Sequence, residues 1–164
     1  MQTKKLTRLA LLTAVALGLY VLEAQIPNPI PVAGVKLGMS NIITIYAVFV
    51  FGPWEAQAIL LVRVFLGSMF TGQMLALAYS LTGGLLSLAA MLLLRRALTL
   101  QQIWVASIIG GICHNVGQIL TAIAVTSTLS LVVYLPVLIL SGLGAGLFTG
   151  LTAQYLIHHM KKIP

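Results

Sequence analysis

Arg63 stands inside the apolar run ILLVRVFLG (59–67), far from either end of it. A guanidinium at the centre of a hydrocarbon-spanning segment costs about 2.5–3.5 kcal/mol to insert and is kept where it faces a partner or a watery interior. One partner in the chain is Glu23, which ends the first apolar run. The other reading is a ligand-facing cation, and both stay open on the sequence alone. A second polar group, His114, Asn115 and Gln118, interrupts the run GGICHNVGQILTA (110–122). His114 and Gln118 are four apart and share a helix face, with Asn115 beside them. Lys36 and Asn41 flank a third position, GVKLGMSN (34–41). Together Glu23, Lys36, Asn41, Arg63, His114, Asn115 and Gln118 could hold a small anionic molecule. Lys36 and Arg63 would neutralise its charge, and the amides and imidazole would orient the rest.

The chemistry this set excludes is equally informative. Both acidic residues are glutamates, Glu23 and Glu55, so the chain has no aspartate. His114 lacks the second histidine and carboxylate that a zinc site wants. No GxxxxGK[ST] loop occurs, so any ATP drive comes from elsewhere. No cofactor is expected. Cys113 is the single cysteine, which forbids an intramolecular disulfide.

These side chains must be positioned by membrane-spanning helices. Of 164 residues 60% are hydrophobic and 7% charged, more apolar surface than a soluble domain of this size can hide. Six apolar runs, at about 6–25, 37–51, 54–70, 74–94, 103–126 and 131–158, are each read as a span of a roughly 30 Å core. The expected fold is all-α, a single six-transmembrane-helix bundle over 1–164. The basic N-terminus followed by a long apolar run reads as an uncleaved first span. Glu55 fits a helix start, where a carboxylate meets the dipole. The nine Lys and Arg against two acids do not imply nucleic acid, because all but Arg63 sit at the ends of apolar runs or in the link between them. Lys4, Lys5 and Arg8, then Arg95 and Arg96, then Lys161 and Lys162 fall on one side of six spans. The positive-inside rule makes that side cytoplasmic, with both termini there, in a bacterial-type cell membrane.

The stretch IPNPIPVAGVKLGMSN (26–41) then lies on the outer side, above Glu23, Asn41 and Arg63. Its prolines Pro27, Pro29 and Pro31 favour a stiff, extended link. On the first helix Ala10, Ala14 and Gly18 recur every four residues. Such a stripe lets another helix approach closely, so it is read as a docking face for a partner.

The stretches LEAQIPNPIPVAGVKLGMSNIITI (22–45), LVRVFLGSMFTG (61–72), YSLTGGLLSLAAM (79–91), SIIGGICHNVGQILTA (107–122) and LPVLILSGLGAGLFTG (135–150) carry a resemblance. The chain resembles the Gx transporter family, also described as heptaprenyl diphosphate synthase component I. That family looks like the substrate-binding S components of energy-coupling factor transporters. The resemblance implies six helices, an outer loop over the binding site and docking of the small-residue stripe on a transmembrane coupling subunit worked by two ATPase subunits. The function implied is uptake of a small anionic molecule, vitamin-, isoprenoid- or quinone-precursor-like. The alternative is a membrane accessory subunit of heptaprenyl or polyprenyl diphosphate synthesis. A purely structural subunit of a larger complex is the third reading. Prenyl diphosphate synthases use aspartate-rich motifs to hold magnesium. A chain without aspartate is not expected to be the enzyme itself.

Overall fold

The computed structural model describes residues 2–26, 37–72 and 74–160. Six α-helices follow in order: α1 (Gln2–Gln25), α2 (Asn41–Val50), α3 (Pro53–Thr71), α4 (Met74–Arg95), α5 (Ile103–Thr126) and α6 (Leu135–Met160). Short 3₁₀ turns at Leu100–Gln102 and Leu129–Tyr134 lead into α5 and α6. No strand occurs among the described residues. Each boundary has a local cause. Gly52 turns the chain with φ +143° and Pro53 opens α3, where its missing N–H costs nothing. Gly72, at φ +66°, closes α3 in the left-handed conformation. The last helix starts later than the expected residue 131, because Pro136 sits best in a first turn.

The bundle buries polar groups beside its apolar core and exposes large apolar side chains outside. Leu11, Phe70, Leu93 and Leu140 are exposed, while Glu23, Arg63, Asn115, Gln118 and Thr149 are buried. That inversion suits hydrocarbon as the solvent. The segments around α1, α4, α5 and α6 are long and apolar enough to cross a membrane. Four such segments stand against the six spans expected, and α2 falls short by length. α2 has ten residues and rises about 15 Å, roughly half of a hydrocarbon core. Seven of those ten are buried, because α2 is apolar all round and is wrapped by α1, α3, α4 and α6. Its Ile45, Ala47 and Val48 form the core with Ile59, Leu60, Met91 and Ile157.

One end of the bundle gathers charge. Lys5 of α1 pairs with Glu55 in the first turn of α3, and the Arg95 guanidinium that ends α4 lies beside them near Gly52. α6 ends in His158 and His159. Because α2 ends near this face and is short, its first residues lie deep inside the bundle. They lie at the level of mid-α3, where Arg63 stands.

Candidate functional site

The site is built around residues 38–41, the turn that opens α2. Gly38 has φ +71°, a conformation that a side chain resists. The turn points two successive N–H groups one way. Those of Gly38 and Met39 both donate to the Glu23 carboxylate, Met39 at 3.1 Å. The Gly38 carbonyl accepts the Asn41 N–H at 2.8 Å and starts the helix. The side chains of Ser40 and Asn41 point to α3. Arg63 Nη1 donates to Ser40 Oγ, and Nη2 to Asn41 Oδ1 at 3.3 Å.

A direct ion pair of Arg63 with Glu23, one of the two readings left open, is not formed, and helix register explains why. Tyr20 of α1 lies against Gly67 of α3, leaving no room there for a Cβ. Glu23 stands three residues beyond that contact and Arg63 four before it. At about 1.5 Å per residue their backbones differ in level by about 10 Å. The turn 38–41 fills the gap, taking the carboxylate on its N–H groups and the guanidinium on its side chains. Arg63 is 4% exposed and Glu23 8%. The other acid, Glu55, is held by Lys5 at the far end. Among the described residues Arg63 therefore makes no direct ion pair with a carboxylate, and its Nε has no hydrogen bond.

The facing wall comes from α4, α5 and α6. Glycines bring these backbones together. A Cβ at Gly83 would come within 2.7 Å of the His114 carbonyl and 3.2 Å of Gln118 Cγ. At Gly111 it would meet the Gly142 carbonyl at 2.5 Å. Asn115 ties α5 to α6, its Nδ2 donating to the Leu138 carbonyl at 2.6 Å. Gln118 is 8% exposed, and its Oε1 is buried without a hydrogen bond among the described residues. At the deep end Ser107 and Thr149 bond each other at 3.0 Å.

Between the walls lies a cavity of about 60 Å³. Glu23, Asn41, Arg63, His114, Asn115 and Gln118 all line it, so the sequence-predicted residues that are described do converge. Lys36 lies outside the described residues, as do Pro27, Pro29 and Pro31. Ser40, Gly38 and Tyr20 belong to the site and were not among the predicted set. The signal for Ser40 was its place beside Asn41 at the start of a run cut short by Gly52 and Pro53. Among the described residues the cavity offers one Lys or Arg, a carboxylate already engaged by backbone donors, and amide and hydroxyl groups. Hard divalent ions want several carboxylate oxygens. Here the two carboxylates are at opposite ends of the bundle and each is taken.

A separate apolar groove of about 410 Å³ runs between α1 and α3, lined by Leu9, Ala10, Ala14, Ala58 and Val62 among others. Ala10, Ala14 and Gly18 are exposed, and a Cβ at Gly18 would meet nothing within 4 Å.

Neither the curated proteins nor the solved structures hold a match to the chain. The family described as heptaprenyl diphosphate synthase component I matches residues 12–156. That span takes in every residue lining the cavity, from Tyr20 to Thr149. An all-helical chain with its polar groups inside, matched over nearly its whole length, thus belongs to the heptaprenyl diphosphate synthase component I family.

Proposed function

We propose that the chain is a membrane-embedded binding subunit that captures a small anionic molecule in the cavity beneath residues 38–41. The observation that carries this is Arg63. A guanidinium has five N–H donors, and here two meet neutral oxygens while Nε meets none. The one carboxylate in the cavity, Glu23, is engaged by the backbone of the turn and not by Arg63; a buried cation is poorly held without a direct ion pair, and an anionic ligand would supply one. His114, Asn115 and Gln118 line the opposite wall and would orient the remainder. In the fullest form of this reading all six helices lie in the membrane with both termini cytoplasmic. The ligand then arrives from outside, and Ala10, Ala14 and Gly18 dock on a transmembrane coupling subunit served by two ATPases. The test is uptake of candidate labelled anions by cells carrying the chain, with Arg63→Gln as control. It is paired with native mass spectrometry of protein purified in mild detergent. Uptake that is equal in the Arg63→Gln strain would sink the reading.

The family match favours a second reading directly. A protein described as component I of a synthase implies another component, and this chain would be its membrane partner in polyprenyl diphosphate synthesis. Catalysis would then rest with the partner, since the carboxylates that magnesium needs are absent from this cavity. Co-purification with a soluble, aspartate-rich synthase would establish it. Failure of the two to associate in membranes, together with Arg63-dependent uptake, would remove it.

A further inference from the structure

We infer that the cavity selects a singly charged carboxylate bearing a hydroxyl or N–H donor, and that it discriminates against diphosphates. This rests on the reading of Arg63 as the anion site and narrows the ligand class. Arg63 is the one Lys or Arg among the described residues that lines the cavity. Its two terminal nitrogens each donate one N–H to a neutral side chain, Ser40 and Asn41, which leaves three of its five donors without a partner among the described residues, that of Nε included. The single charge of one guanidinium matches one carboxylate. A single phosphoryl group already carries about −1.5 to −2 at pH 7, and a diphosphate carries more. The Glu23 carboxylate lines the same cavity, so further negative charge is repelled by it as well as left unpaired. Across the space, Gln118 Oε1 is a buried acceptor with no donor among the described residues. A buried acceptor left unmet is costly, and a hydroxyl or N–H on the ligand's far side would satisfy it. The cavity of about 60 Å³ holds about two waters, so a compact acid is the guest that needs the least widening.

Thermal unfolding of the full chain in mild detergent tests this, with lactate, acetate, inorganic phosphate and inorganic diphosphate as probes at matched ionic strength. Lactate, which has both groups, is expected to stabilise most, acetate less, and the two phosphates least. Arg63→Gln should weaken lactate and acetate by about 10- to 100-fold. Arg63→Lys, which keeps the charge and loses the fork, should fall between. Gln118→Leu should bring lactate down to acetate's level and leave acetate unchanged. If diphosphate stabilises best and does so through Arg63, the carboxylate assignment fails while the anion site stands. If Gln118→Leu affects both carboxylates equally or neither, the donor assignment fails. If no probe acts through Arg63, the anion site fails too.

Discussion

Arg63 and Glu23 line one cavity and do not touch; the turn 38–41 lies between them, with Glu23 on its backbone and Arg63 on its side chains. Each residue thus stabilises the same turn from a different side.

Glu23→Ala should destabilise the ligand-free protein by about 2–4 kcal/mol, because two buried N–H groups lose a charged acceptor. Glu23→Gln should cost less, since its amide oxygen still accepts. Combining Glu23→Gln with Arg63→Gln should give no recovery in ligand-free melting. A double variant more stable than Arg63→Gln alone would restore the direct strut.

Gly38→Ala tests the turn itself. The new Cβ would meet Asn41 Nδ2 at 3.4 Å, an ordinary contact, so the cost is backbone conformation. A loss of about 1–2 kcal/mol is expected for a left-handed alanine. Gly38→Asn should lose less, because asparagine tolerates that region. Equal melting of wild type and Gly38→Ala would show that the turn adopts another conformation.

The α5 and α6 seam gives a paired test. Gly142→Ala places a Cβ 2.9 Å from the Gly111 carbonyl oxygen, and a helix backbone cannot give way cheaply. About 1–3 kcal/mol should be lost. Gly144→Ala meets nothing within 4 Å and should be neutral or slightly stabilising. If both variants melt alike, the two helices are not in contact as described.

Much of the bundle was legible because polarity in a hydrocarbon-rich sequence is rare. α5 runs over Ile103–Thr126 as its apolar run suggested, and its His114, Asn115 and Gln118 do meet Arg63 on one cavity. The partner of Glu23 was not legible. Counting charges pairs an acid with a base, whereas Gly38 and Met39 offer backbone N–H groups that no side-chain inventory displays. The brevity of α2 was half legible. Gly52 and Pro53 marked its end, but its start depends on the left-handed Gly38, seven residues after the last of three closely spaced prolines. The later start of α6 follows from Pro136, whose place inside an apolar run can be read either as interior or as first turn.

Docking and folding separate at Ala14. The residue is exposed, so Ala14→Leu should leave the melting temperature and anion binding unchanged. If α1 is a docking face, recovery of partner subunits with the tagged chain should drop severalfold. Undiminished assembly would make the stripe ordinary surface.

Orientation is open to cysteine labelling in a Cys113→Ser background. Thr128→Cys, between α5 and α6, should react with an impermeant reagent from outside, and Lys4→Cys should be protected until the membrane is breached. The reverse pattern would overturn the proposed placement of the termini.

The contact of Gly111 with Gly142 makes one side of the cavity a fixed jaw. Where two helix backbones touch without side chains between them, there is no compressible layer to yield and no rotamer to swing aside. Asn115 rivets that jaw to Leu138. A guest larger than the resting space must therefore move the opposite jaw, α1 to α3, whose grip on the interior at 38–41 is a few polar bonds rather than fused backbone. Aperture and recognition would then meet at one residue: Arg63 holds the turn through its two terminal nitrogens, and an anion taken up beside it would lie against that turn.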